Sequence, residues 1–297
     1  MSAASPTSTA GSTQAAAPTG TAAAAGPEAG LGVGGVLQRC REEGRAALVG
    51  YLPVGFPDVP GSVRAMVAMV EAGVDIVEVG VPYSDPLMDG PVIAYAADQA
   101  LKRGARVHDL FTATRAIRDA GAPPLGMTYW NLMLHYGPMA FARDLAAAGG
   151  AGMITPDLVP DEAAAWIEAT DETGLDRVFL VAPSSTEQRL VSVTSACRGF
   201  VYAASHMGVT GARADLGDAA SVIVGRTKAV TDKPVCVGLG VSTRAQAAEV
   251  ASFADGVIVG SALVRCLTEA DDLDSGIARL RDVVAELAAG VREGTRA

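Results

Sequence analysis

The chain has 297 residues, a net charge of −10 and no Lys/Arg run, so it lacks the basic footprint of a nucleic-acid or anionic-membrane binder. No stretch reaches the roughly 18 apolar residues needed to span a bilayer. Cys40, Cys197, Cys236 and Cys266 share no CxxC spacing and read as reduced core residues, and His108, His135 and His206 form no metal-like cluster, a profile that fits a cytoplasmic enzyme.

Residues 2–30 are almost wholly Ala, Ser, Thr, Pro and Gly, with Glu28 the only charge. Such a segment buries too little apolar surface to order itself. It also lacks the apolar core of a signal peptide and the arginines of a transit peptide. Residues 1–30 are expected as a disordered low-complexity tail, and residues 31–297 as one catalytic domain.

Val36 to Gly44 is expected as a short helix closing one end of that domain. Ala46 to Leu52 is the first strand, and Val63, Met66, Val67 and Val70 then recur at helical spacing. The second strand, Asp75 to Gly80, leads into a loop with two prolines and Gly90. Pro91 suits the first turn of a helix over Val92 to Lys102. A further helix carries Val107, Leu110, Phe111 and Ile117 on one face. The third strand is Pro124 to Tyr129, followed by a helix from Met139 to Ala148. The fourth is Gly152 to Thr155, after which Asp161 is expected to cap a helix with Trp166 on its apolar side. Arg177 to Ala182 is the fifth strand, with a helix starting near Ser185, and Phe200 to Ala203 is the sixth. The seventh is Pro234 to Gly238 and the eighth Gly256 to Val259. The last helix shows Leu273, Ile277, Leu280, Val284 and Leu287 at helical spacing.

Eight apolar strands alternating with helices indicate the α/β class and a (β/α)8 TIM barrel, with a short N-terminal helix and extended loops after strands two and six. An open doubly wound sheet would call for GxGxxG after the first strand, and none is present. Barrel active sites lie at the C-terminal strand ends. Tyr51, Glu78, Asp89, Tyr129, Asn131, Asp157 and Tyr202 all fall there.

Glu78 interrupts an apolar strand, and Asp89 follows it by eleven residues on the second loop. A carboxylate in such a strand is costly unless hydrogen-bonded, protonated or used. Two readings stand: the pair converges on a small molecule, or Glu78 bonds a neighbouring strand while Asp85 and Asp89 form turns.

Strand seven ends in Gly238-Leu239-Gly240 and strand eight in Gly260-Ser261, each before a helix. Glycines there admit a ligand close to the backbone, and helix N-termini attract phosphate without net positive charge. Gly211, on the sixth loop, is a further candidate. Read plainly, the same glycines only make tight turns. Loop six, Ser205 to Leu216, is either a lid over the site or an ordinary surface loop.

Several of these motifs together resemble one family, the α subunits of tryptophan synthase. They are the run from Glu78 to Pro91 (EVGVPYSDPLMDGP), Pro156-Asp157-Leu158, Tyr202 with Gly208-Val209-Thr210-Gly211, Gly238 to Ser242, and Val259-Gly260-Ser261-Ala262. Their order and spacing match from about Glu43 to Leu267. Met88 stands where alanine is usual, and Gly55-Phe56-Pro57 replaces the commoner Gly-Asp-Pro near the expected partner surface. The tail lies outside the resemblance.

The resemblance implies retro-aldol cleavage of indole-3-glycerol phosphate to indole and glyceraldehyde 3-phosphate. It implies Glu78 as the acid and base and Asp89 as the carboxylate that stabilises charge on the indole nitrogen. It places the ring among Tyr51, Met127 and Ile154, has Tyr202 flanking the pocket, and has Thr210 hold Asp89 when the lid closes. It further implies a β-subunit partner in an αββα complex. Pyridoxal phosphate belongs to that partner, with no cofactor in this chain. A free-standing indole-releasing lyase and a non-catalytic regulatory subunit are the other readings, and the presence of both acids counts against the second.

Overall fold

The computed structural model describes residues 1–2, 32–204, 217–238 and 240–294. Its strands are β1 Ala47–Pro53, β2 Ile76–Gly80, β3 Pro124–Met127, β4 Gly152–Ile154, β5 Asp176–Val178, β6 Leu180–Val181, β7 Val201–Ala204, β8 Val235–Gly238 and β9 Gly256–Val259. Helices α1 Val33–Glu42, α2 Val59–Ala72, α3 Pro91–Lys102, α4 His108–Asp119, α5 Trp130–Tyr136 and α6 Pro138–Ala147 lie in the first half. Helices α7 Ala164–Thr173, α8 Glu187–Ala196, α9 Gly217–Lys228, α10 Arg244–Ala251, α11 Ser261–Thr268 and α12 Leu273–Glu293 lie in the second. Among the described residues, no helix is long and apolar enough to cross a membrane.

The strands are apolar on both faces, so each must be covered on both, which a parallel sheet wrapped by helices provides. All the pairings are parallel, in the order β5-β4-β3-β2-β1-β9-β8-β7-β6. The two sheet ends, β5 and β6, are separated only by Phe179. The amide of Thr155 donates to the Val178 carbonyl at 3.2 Å, and that of Tyr202 to the Phe179 carbonyl at 3.2 Å. The sheet therefore closes on itself, and β5 and β6 are two pieces of one stave, giving an eight-staved barrel. The continuous fifth strand expected over 177–182 is broken because the Phe179 amide turns out of the ladder to Cys197 Sγ, at 3.4 Å.

Strand alternation sorts the side chains into two layers. One cluster, with Ala47, Val49, Ile76, Leu125, Ile154, Val178, Phe200, Cys236 and Ile258, fills the barrel interior. Val33, Val36, Leu37 and Cys40 of α1 join it, so this helix plugs the N-terminal end, as expected. The other faces meet the helices in a second, larger cluster.

Two local expectations are corrected. Asp161 does not cap α7: it lies in a single 3-10 turn, Pro160–Glu162, and pairs with Arg189 at 2.6 Å. Pro160 accounts for this, since it starts a tight turn before the helix. The third strand stops at Met127 rather than Tyr129, because a short helix, α5, begins at Trp130. Asn131 is therefore helical. Asp157 receives the amide of Trp130 at 2.9 Å and so supplies the cap that α5 has no local residue to make. Phe56 is buried, 7% exposed, with its ring edge-on to Tyr95 at 6.2 Å, so it turns away from solvent.

Candidate active site

Parity within each strand decides which side chains reach the barrel mouth. Tyr51 shares the inward face with Ala47 and Val49, Glu78 with Ile76, and Met127 with Leu125. Ile154, Tyr202, Gly238 and Gly260 take the same parity as the interior residues of their own strands. Tyr51 and Glu78 are paired neighbours in register, as are Met127 and Ile154, while Gly238 lies opposite Ile258. The structure thus gathers Tyr51, Glu78, Met127, Ile154 and Tyr202 at one end of the barrel interior.

Two glycines have a packing reason. A Cβ on Gly80 would overlap the Tyr51 ring, and one on Gly238 would overlap the Tyr202 hydroxyl. A Cβ on Gly260 would sit tightly, 3.3 Å from the Tyr51 ring, without the same overlap. Gly238 and Gly260 therefore make room for the tyrosines whether or not a phosphate approaches them. Gly240 has a left-handed backbone, φ +69°, which glycine adopts without strain. Gly260 precedes α11 without a side-chain cap, and its carbonyl accepts from Leu263 and Val264 at 2.9 and 3.0 Å. Ser261 is buried at the first turn of that helix. Thr210, Gly211 and the expected lid, Ser205 to Leu216, lie outside the described residues.

Glu78 is 1% exposed, and its Oε2 is buried with no hydrogen-bond partner among the described residues. Burial, reinforced by the charge of Asp89, pushes its carboxyl up to about 8. Asp89 is half-buried on the loop, and burial raises it to about 6. The charges of both acids reach Tyr51 and Tyr202, whose hydroxyls burial holds well above their ordinary range. The reading of Glu78 as a carboxylate bonded to a neighbouring strand finds no partner for Oε2 among the described residues. Asp85 does fit turn chemistry, accepting from Ser84 Oγ at 2.6 Å.

The tyrosines mark what the sequence reading passed over. Tyr129 and Asn131 were placed near the mouth without a role. The Tyr129 hydroxyl accepts the amides of Leu87 at 3.0 Å and Met88 at 3.1 Å, immediately before Asp89. The Tyr83 ring lies on Tyr129 at 5.1 Å, and Asn131 Nδ2 donates to the Tyr83 hydroxyl at 3.3 Å. A compositional signal was present: of six tyrosines in the chain, Tyr51, Tyr83, Tyr129 and Tyr202 all follow or end strands at the mouth.

A closed (β/α)8 barrel with two carboxyls that burial raises above their ordinary range, among Met, Ile and Tyr side chains at the C-terminal strand ends, has the form of a TIM-barrel enzyme. The sequence profile of the tryptophan synthase alpha chain family matches residues 37–292. The alpha chains of Mycobacterium bovis and Mycobacterium tuberculosis are 62% identical over 265 residues, covering 89% of this chain and 96% of theirs. A solved Mycobacterium tuberculosis tryptophan synthase structure superposes with TM-score 0.83 at 62% identity, over 88% of this chain and 98% of that one. At 28% identity the alpha subunit of Legionella pneumophila still superposes with TM-score 0.79, over 87% and 97% of the two chains. The chain belongs to the tryptophan synthase alpha chain family: it is a lyase that cleaves indole-3-glycerol phosphate to indole and glyceraldehyde 3-phosphate in tryptophan biosynthesis.

Proposed function

We propose that Glu78 is the acid and base of this cleavage and that Asp89 is the fixed charge that accompanies it. The observation that carries the assignment is Glu78's buried Oε2, unpartnered among the described residues at the inner face of the barrel, with its carboxyl raised to about 8. Breaking the bond between the indole ring and the glycerol chain requires the ring carbon to be protonated first. The ring then accepts the electrons of the breaking bond. The neighbouring side-chain hydroxyl loses its proton as it becomes the aldehyde. A carboxyl protonated at neutral pH can donate the first proton and, as the carboxylate, take the second. Positive charge grows on the ring nitrogen between the two transfers, and an ionised Asp89 beside that N–H stabilises it.

The indole ring lies among Tyr51, Met127 and Ile154 in this reading, with Tyr202 across from it. Phosphate sits at Gly238, Gly240, Gly260 and Ser261, where the free N-terminus of α11 meets the mouth, with Gly211 closing on it. Thr210, from the same loop as Gly211, holds Asp89 when that loop covers the site.

The chain works in the cytoplasm beside a β subunit, as one arm of an αββα complex, and pyridoxal phosphate belongs to that partner. Leu87, Leu134 and Val159 support the docking face: all are exposed, and each follows the C-terminal end of a strand. Exposed large apolar side chains on neighbouring mouth segments are what a partner covers. Assaying indole release from indole-3-glycerol phosphate, alone and with a β subunit, separates a subunit from a free-standing lyase. Stimulation by the β subunit is expected, and equal rates would favour the free-standing enzyme. Glu78→Gln is expected to cut turnover by about 10²–10⁴-fold with phosphate binding kept, and near-normal kcat would refute the role.

A further inference from the structure

We propose that Tyr129 is a positioning residue that sets Asp89 by clamping the backbone of the loop just before it. The proposal rests on the reading of Asp89 given above. The Tyr129 hydroxyl oxygen accepts two consecutive amides, Leu87 at 3.0 Å and Met88 at 3.1 Å. Asp89 is the next residue, so these bonds fix the peptide from which its side chain leaves. The anchor itself is rigid. Tyr129 is buried, 5% exposed, and ends the turn between β3 and α5. Its ring is backed by Tyr83, which comes from the start of the same loop and is held in turn by Asn131 of α5. One phenol therefore grips the loop near its end while the ring stacks on its beginning.

The grip is needed because little else holds this stretch. Leu87 is 72% exposed, so its side chain gives no apolar anchor, and Ser84 and Asp85 are exposed as well. Burial raises the Tyr129 hydroxyl above its ordinary range, and the charge of Asp89 adds to that. A carboxylate meant to meet a ring nitrogen must be held to a fraction of an ångström, and misplacement costs rate more than binding.

The test is a double-mutant cycle in the full-length chain, with Tyr129→Phe and Asp89→Asn, read by single-turnover cleavage of indole-3-glycerol phosphate. Phenylalanine keeps the ring on Tyr83 and removes only the acceptor. Tyr129→Phe is expected to lower kcat about 10-fold or more with KM changed by less than about 3-fold. The Leu87 and Met88 amides should exchange with solvent faster. The acid limb of the kcat/KM profile should move down toward the ordinary carboxyl range as Asp89 becomes more exposed. In the Asp89→Asn background the same change should cost less than about 2-fold, because there is no charge left to position. If Asp89→Asn is impaired but Tyr129→Phe is not, the clamp is overturned while the reading of Asp89 stands. An equal loss in both backgrounds overturns it too, since Tyr129 would then act independently of Asp89. Full activity in Asp89→Asn would instead sink the reading of Asp89 itself, and the clamp's catalytic role with it.

Discussion

Burial suits Glu78 to proton transfer and at the same time weakens the fold. In the folded chain its carboxyl stands at about 8, against the ordinary 4.5 expected once unfolded. Between those two values the folded state holds a proton that the unfolded state has released. Stability therefore falls as pH rises through this window, and the penalty is complete above about pH 8. Glu78→Gln carries no such penalty. It should melt at the same temperature as the parent below pH 4.5 and be more stable by a few kcal/mol at pH 9, measured by thermal unfolding. A parallel pair of melting curves across that range would show that the carboxyl is not buried as a neutral acid. The same two acids predict the rate profile. With Asp89 ionised and Glu78 protonated in the proposed mechanism, kcat/KM should be bell-shaped, rising near 6 and falling near 8. Glu78→Gln should lose the upper limb along with most of its rate. A plateau extending beyond pH 9 in the parent enzyme would assign the proton to another group.

Among the elements, α5 shows how distant parts of the sequence complete one another. It has seven residues, too few to be stable alone, and no side-chain cap of its own. Asp157, which follows β4, receives the Trp130 amide and ties the end of one stave to the helix after its neighbour. Asp157→Ala should lower stability by about 1 kcal/mol, the usual worth of a lost N-cap, as seen by denaturant titration. Because α5 carries Asn131 and follows Tyr129, a modest fall in kcat should accompany it. An unchanged midpoint would mean that water replaces the carboxylate without cost. The sequence showed both halves of this contact, but the pairing depends on β3 and β4 lying side by side. That is also why Asp161, an ordinary cap by its position, could be assigned to the wrong job.

For the whole molecule, the contrast lies between two N-terminal segments. Deleting residues 2–30 should change stability by no more than about 0.5 kcal/mol and leave activity intact, since their composition cannot pack and the family match begins only at residue 37. Extending the deletion through α1 should be far worse. Val33, Val36, Leu37 and Cys40 are all buried in the barrel floor, and exposing side chains of that size costs about 1.5–3 kcal/mol each for the larger ones. Differential scanning calorimetry of the two truncations would separate them. A large fall in Tm for the first would show that the tail docks, and none for the second would show that the floor is not structural.

The sequence by itself determined the barrel, because eight apolar strands alternating with helices leave few ways to cover both faces of each strand. It determined Glu78 as the residue to explain, because one acid in an apolar strand is expensive wherever the strand goes. It placed Tyr51, Glu78 and Tyr202 at one end, since strand polarity is a local property, whereas Met127 and Ile154 came only with the family resemblance. Only the tertiary structure decided what those residues face. Raising Glu78 to about 8 requires knowing that it is buried, that no donor among the described residues meets its Oε2, and that the charge of Asp89 reaches it. Gly238 reads as a turn or a ligand cradle in the sequence; the fold fills the space above it with the Tyr202 ring, as it fills that above Gly80 with the Tyr51 ring. The clamp of Tyr129 on Leu87 and Met88 joins positions more than forty residues apart. A hydrogen bond of that kind leaves no periodicity in the chain, because it depends on where the barrel brings two loops together.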